Sequence, residues 1–380
     1  MMHMRRRIAC VIAAAVVVAM TGGALAQEGP IAYICIEAET GLVLSESNAD
    51  LPRPPASMLK MMMMLLVVEG VERGDWTWDR QIVASAAAAA IGGSQVYLRE
   101  GEVHDLAKSM QAVAVASAND MAYAVAENLW GSKEAYLKRM NERAQELGMA
   151  DTVFYSVHGL PPDAGMPYDR TTARDMAILA QYCLRKDVIR EWVGTRELQF
   201  RPQDAVKYNT NKLLFRMSEC DGLKTGFTRA AGFCVAATAE RDGIRLICVV
   251  MGHPSSEQRF RMAGDLLEEG FQQLQRYRYI AEGQEIDPPV RVYNAGVGEI
   301  RLVAAEDAWV ALREQDKPLV RVVALQPGHI SAPVAAGETV GEVQIRLGDR
   351  TIKSTPLVIA ESIETPSRGW KLAHSARRRF

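Results

Sequence analysis

Past its first two dozen residues the chain has no apolar stretch near the roughly 20 residues a helix needs to cross a bilayer. It has almost no net charge either, with 44 Lys and Arg against 46 Asp and Glu. That balance gives the whole chain no electrostatic reason to bind nucleic acid. His104, His158, His253, His329 and His374 stand isolated. No Gly-x-Ser-x-Gly is present to seat a triad serine, and no His-Glu-x-x-His to hold zinc. Cysteine is sparse and its spacings match no zinc motif. Once Cys10 leaves with the N-terminal segment, the remaining five (Cys35, Cys183, Cys220, Cys234, Cys248) are an odd number, so at least one stays unpaired in a monomer. A bridge between Cys234 and Cys248, on adjacent predicted strands, is open, but a chain this long needs no staples and free, buried thiols are expected.

The 380 residues are 48% apolar, enough for two domains with real cores. Residues 1–26 read as an export signal: Arg5, Arg6 and Arg7, an apolar segment from Ile8, then Ala24-Leu25-Ala26 as a cleavage site. Short strands are expected around a turn at Thr40-Gly41. Helical sequence follows, including Val103 to Val115, Met121 to Trp130, Ser132 to Leu147 and Thr171 to Leu184. Gly222 to Thr228, Gly232 to Ala239 and Ile244 to Gly252 read as an antiparallel meander with a turn at Glu240-Arg241-Asp242-Gly243. A last amphipathic helix is expected from about Glu257 to Tyr277. Strands, then helices, then strands predict an α+β domain over 27–282, an antiparallel sheet covered by helices. From 283 to 363 only short alternating strands remain, which predicts a separate small β-sandwich. The tail, 364–380, is basic (Arg368, Lys371, Arg377, Arg378, Arg379) and reads either as a solvated end or as a membrane-surface anchor.

Pro54-Pro55-Ala56-Ser57-Met58-Leu59-Lys60 leads into an unbroken apolar run, Met61 to Val68. Prolines suit a helix entrance, so a helix should start close to Ser57 and be buried on every side. Ser57 and Lys60 then share a face one turn apart. Burial lowers the pKa of an amine, which is one route to a neutral lysine able to deprotonate a serine. An N-cap serine beside a snorkelling lysine would leave the same spacing. Two further motifs follow: Ser117-Ala118-Asn119 before a helix, and Lys224-Thr225-Gly226 at the start of a strand. Either is weak alone, since Ser117 could cap a helix and Lys224 could be a solvated strand charge. In the order Ser-x-x-Lys, Ser-x-Asn, Lys-Thr-Gly they match the active-site set of penicillin-binding proteins and serine β-lactamases.

The mature chain resembles the low-molecular-mass penicillin-binding proteins that act as D-alanyl-D-alanine carboxypeptidases. Arg53-Pro54-Pro55-Ala56-Ser57, Val115 to Asp120, Met140-Asn141, Leu147-Gly148-Met149, His158-Gly159-Leu160 and Asp221 to Thr228 carry the likeness, and Ile330 to Val334 with Gly337 and Gly341 extends it into the β-domain. The resemblance implies a transpeptidase-like domain, helices on a five-stranded antiparallel sheet, followed by that small all-β domain. It implies Ser57 as acylated nucleophile, Lys60 as general base and Ser117 as proton relay. Asn119 would hold the substrate amide, and Lys224 would supply positive potential. Thr225 would bind the terminal carboxylate. Gly226 admits close approach of the ligand backbone, and the N–H groups of Ser57 and Phe227 would form the oxyanion hole. Arg259 resembles an arginine near the carboxylate subsite, although a surface arginine would look the same. No cofactor or metal is implied. The implied partners are the peptidoglycan stem pentapeptide and β-lactams as covalent inhibitors. The implied location is the periplasm or cell envelope, peripheral on the outer face of the cytoplasmic membrane if the tail anchors. Leu59, Phe227 and Ser156 depart from the usual small hydroxyl residue, His and Asn. A class A β-lactamase would also need a deacylating glutamate, yet none lies between Glu146 and Glu191. The same motifs would suit a DD-endopeptidase acting on cross-links, and the same fold without turnover would suit a wall-binding protein.

Overall fold

The computed structural model describes residues 30–365, so the expected export signal and the end of the basic tail lie outside the described residues. In chain order, strands β1 (Ala32–Glu37) and β2 (Val43–Ser47) pair around the expected turn. A single 3-10 turn, Ala56–Leu59, then leads into helix α1 (Lys60–Arg73). Next come β3 (Gln81–Val83), α2 (Ala86–Ala89) and β4 (Val103–Asp105). Helices α3 (Leu106–Val115), α4 (Asn119–Trp130), α5 (Lys133–Glu146), α6 (Ala173–Leu184) and α7 (Asp187–Gly194) follow. A two-residue ribbon, β5 (Glu197–Leu198) and β6 (Lys207–Tyr208), precedes β7 (Cys220–Thr228), β8 (Gly232–Arg241), β9 (Ile244–His253) and α8 (Ser256–Gln273).

Strand order β2-β1-β9-β8-β7 makes a five-stranded antiparallel sheet. It is covered on both faces, which is why its inner strands read as continuous apolar runs. On β9, Ile247, Val249 and Met251 join the core under the helices of the large layer, while Leu246, Cys248 and Val250 face the opposite way with Phe260, Ala263 and Leu267 of α8. This alternation decides the cysteine question. Cys234 belongs to the first core and Cys248 to the second, so they point to opposite faces of the sheet and cannot bridge. Cys248 lies opposite Cys35 on β1, and all five described cysteines are free and buried.

Two helix expectations are corrected. Val103 to Asp105 is a strand, and Asp105 ends it by capping α3, its side chain accepting from Lys108 N at 2.7 Å. The last helix stops at Gln273, and β10 (Gln275–Ile280) replaces its expected final turn. β10 pairs with β13 (Ala308–Leu312), which follows β11 (Glu285–Tyr293) and β12 (Glu299–Ala304). With β14 (Val320–Leu325), β15 (His329–Ser331), β16 (Thr339–Leu347) and β17 (Arg350–Val358) the second unit has a six-stranded sheet, order β14-β16-β17-β12-β11-β15, beside that two-stranded ribbon. Its own core includes Ile286, Leu302, Val310, Leu312, Ile345 and Leu357. The β1–β2 turn docks on it: Arg350 donates to Thr40 O and Lys353 pairs with Glu39.

Candidate active site

Three segments converge on the N-terminal end of α1. The first is the extended lead into Ser57, pinned by reciprocal main-chain bonds between Arg53 and Thr171 (2.7 and 2.9 Å). Because a tight 3-10 turn carries Ser57, the α-helix proper begins only at Lys60. The expected shared face is kept. Lys60 Nζ lies 2.9 Å from Ser57 Oγ.

The second segment is Ser117-Ala118-Asn119 at the start of α4. Lys60 Nζ reaches Ser117 Oγ at 3.4 Å and Asn119 Oδ1 at 2.6 Å. The Asn119 orientation is set by its Nδ2, which donates to Gly92 O at 2.7 Å. Asp120 locks the wall behind it, its buried carboxylate accepting from Val96 N and Leu98 N. Ala56 and Ser117 both sit at positive φ (47° and 57°), a cost of about 1–3 kcal/mol each that marks functional turns.

The third segment is β7. Lys224 is 1% exposed and Thr225 is buried. A Cβ at Gly226 would lie 2.5 Å from Pro55 O and 3.2 Å from Ser57 N, so only glycine lets the strand close against the nucleophile's turn. Phe227 is on the rim, half exposed and stacked on Phe233 with centroids 4.1 Å apart. Arg259 extends from α8 to the Lys-Thr-Gly strand. Its Nη1 donates to the carbonyls of Gly226 (3.0 Å) and Cys234 (2.8 Å), which makes it a brace beneath β7.

Lys60 is sealed from water, and burial, followed by the neighbouring charge of Lys224, holds its pKa well below the ordinary lysine value; Asp120 opposes. Its partners fit a neutral amine, which has two N–H groups and one lone pair. Asn119 Oδ1 and His158 O (3.2 Å) can only accept, and they use both N–H groups. The lone pair is left for the Ser57 hydroxyl. Lys224 is held down to about 7, by burial and then by Arg259.

His158 enters the site through its carbonyl, not its ring. Burial, then Lys60 and Lys133, push the imidazole down to about 4, and its Nδ1 accepts from Leu160 N. Ser156 holds the loop, donating to Asp169 at 2.6 Å and accepting from Gly159 N at 2.8 Å. The glutamate-free segment therefore presents no free carboxylate in Asp169, whose oxygens accept from Tyr155 N, Ser156 N and Ser156 Oγ. Thr210, which belongs to none of the three motifs, accepts from Thr225 Oγ1 at 2.7 Å.

The profile of the D-alanyl-D-alanine carboxypeptidase peptidase family matches residues 26–255, more than half of the chain. The chain belongs to that family. The profile of the penicillin-binding protein 5 C-terminal domain matches residues 275–365, a span that starts with β10. Among carboxypeptidase relatives, D-alanyl-D-alanine carboxypeptidase DacF of Bacillus subtilis is 31% identical over 90% of this chain and 87% of its own. Penicillin binding protein 5 from Haemophilus influenzae is similar in structure, with a TM-score of 0.67 and 27% identity, over 88% of this chain and 97% of that one. Penicillin-binding protein D2 from Listeria monocytogenes, solved in its ampicillin-bound form, matches at TM-score 0.57 and 31% identity, covering 63% of this chain and 96% of its own. The chain is thus a peptidase of the carboxypeptidase family with the transpeptidase-like fold and an added β unit.

Proposed function

We propose that the protein is an exported serine D-Ala-D-Ala carboxypeptidase that removes the terminal D-alanine from peptidoglycan stem peptides through a Ser57 acyl-enzyme. The observation that carries this reading is the buried Lys60 amine 2.9 Å from Ser57 Oγ, surrounded by neutral partners. Ser57 Oγ attacks the carbonyl carbon of the penultimate D-alanine as Lys60 takes its proton. Negative charge developing on the carbonyl oxygen meets the N–H groups of Ser57 and Phe227. Ser117, within reach of Lys60, passes a proton to the departing amine as the C–N bond breaks. Asn119 keeps one Nδ2 hydrogen for a substrate carbonyl, while Thr225 and Thr210 bind the terminal carboxylate under the potential of Lys224. Water then cleaves the ester and restores Ser57. A β-lactam would enter the same sequence and stall at the ester. The division into a catalytic unit and a β unit, with β10 counted in the latter because it pairs with β13, belongs to this proposal, as do the periplasmic location and peripheral attachment through 364–380.

Incubation of the purified enzyme with a stem pentapeptide should release one D-alanine per peptide, read by mass spectrometry. Ser57→Ala should release none. D-Alanine release by that variant at a wild-type rate would place the nucleophile elsewhere.

A further inference from the structure

Cys35 and Cys248 face each other across β1 and β9, and the ladder between these strands decides how close they stand. Ala38 N donates to Arg245 O of β9 (2.8 Å), while Glu37 N donates to Leu42 O on the β2 side (2.9 Å). Peptide groups alternate along a strand, so Cys35, two residues from Glu37, turns its own toward β2. On β9, Arg245 and Ile247 face β1, and Cys248, next in line, turns its peptide groups toward β8. Neither cysteine bonds the main chain of the other. They form a non-hydrogen-bonded pair, whose Cα atoms stand about 4.5 Å apart, inside the window of about 4.4–6.8 Å that a disulfide spans.

Both side chains point to the α8 face of the sheet and are fully buried there. Cys35 Sγ donates to Leu266 O at 3.5 Å, and a Cβ on Gly270 would lie 3.4 Å from that sulfur, so the glycine leaves the pair its room. The other three cysteines have no such partner. Cys183 and Cys234 belong to the core on the opposite face. Cys220 shares the α8 face but lies on β7, with β8 between it and Cys248. Two strand spacings, about 10 Å, are too far to bridge.

We infer that Cys35 and Cys248 are a disulfide-forming pair, oxidised as the exported chain folds, which ties β1 to the centre of the sheet. Only the place where the oxidant is met rests on the proposed export. The oxidant is itself a disulfide, that of an envelope thiol–disulfide oxidoreductase or of a small thiol. One cysteine thiolate attacks it, forming a mixed disulfide and releasing one thiolate. The second cysteine then attacks its neighbour's sulfur and releases the other. Two protons and two electrons pass from the pair, and the oxidant leaves as two thiols. Once α8 has docked, exchange is closed. The sulfurs are out of reach of solvent, and a hydrogen bond with Cys35, then burial, hold the Cys248 thiol well above its ordinary value. The link is therefore set before the sheet is covered. It encloses residues 35–248 with all three active-site motifs, a long loop whose closure restricts the unfolded chain strongly.

The test refolds the mature protein in a glutathione redox buffer or in dithiothreitol, then denatures it with iodoacetamide and maps the peptides by mass spectrometry. A cooperative thermal melt is the check on folding, so the outcome does not depend on whether Ser57 is acylated. After the redox buffer, the peptides carrying Cys35 and Cys248 should be joined and two hydrogens lighter than their sum, with Cys183, Cys220 and Cys234 alkylated. That protein should melt several degrees above the dithiothreitol-folded one, and the difference should vanish in Cys35→Ala. Folded protein from the redox buffer in which Cys35 and Cys248 are both alkylated, or joined to any other cysteine, overturns the pairing. So does a difference in Tm that survives in Cys35→Ala.

Discussion

A lysine sealed from water must either find an anion or give up its proton, and Lys60 has only neutral groups within hydrogen-bond reach. Because its pKa is lowered, acylation is fully available above that pKa and is lost as pH falls through it. Lys224 works in the opposite sense. Its substrate-attracting charge is present below about 7 and fades as pH rises past that value. Lys224→Ala removes the repulsion and admits water, both of which favour the Lys60 ammonium, so the acid limb of penicillin acylation should move to higher pH. Lys224→Arg, whose guanidinium keeps its proton, should lose the alkaline limb. Stopped-flow acylation across pH 4–10 reads both, and an acid limb that stays in place in Lys224→Ala would show that the two amines are not coupled. At this scale the three motifs are legible in the sequence but their supports are not. Thr210, Asp169 and the His158 carbonyl are recruited through the fold, and no local spacing announces them.

At the scale of elements, the site depends on a strand meeting the first turn of a helix at glycine distance. Gly226→Ala would force a methyl group to within 2.5 Å of Pro55 O, a backbone atom that cannot swing aside, so β7 or the Ala56–Leu59 turn must shift. Overpacking of this kind costs about 1–3 kcal/mol, and here the displacement also parts Phe227 from Ser57. A fall in penicillin acylation of at least a hundredfold, with a Tm several degrees lower, is expected. Wild-type acylation would mean the close approach is not needed. The central meander and its Asp242-Gly243 turn are legible because both faces of the sheet are covered and turn residues punctuate the runs. β10 is not. Gln275 to Ile280 alternates, but of its residues only Ile280 is buried, and the amphipathic pattern of α8 runs into it. Val103 to Asp105 is too short for any period to show.

Among the described residues the molecule has three cores, one on each face of the five-stranded sheet and one in the β unit. Leu42 packs on the β unit, and Ala311 of β13 joins the core beneath α8. The Listeria protein is spanned almost completely by a match to only 63% of this chain, close to the extent of the carboxypeptidase family match. A catalytic unit of that size needs no β unit to exist. Deletion from Gln275 onward should therefore keep penicillin labelling, and deletion of 367–380 alone should keep activity while abolishing co-sedimentation with anionic vesicles. A folded but unlabelled core would contradict the first expectation. Full-length protein that stays in the supernatant would contradict the second.

The chemistry turns on Ser57 being the residue that is acylated, and intact-protein mass spectrometry after mixing with benzylpenicillin reads this directly. One added mass equal to the whole antibiotic, mapped to the peptide that carries Ser57 and missing from Ser57→Ala, is the expected result. No adduct, or an adduct on any other residue, would contradict it.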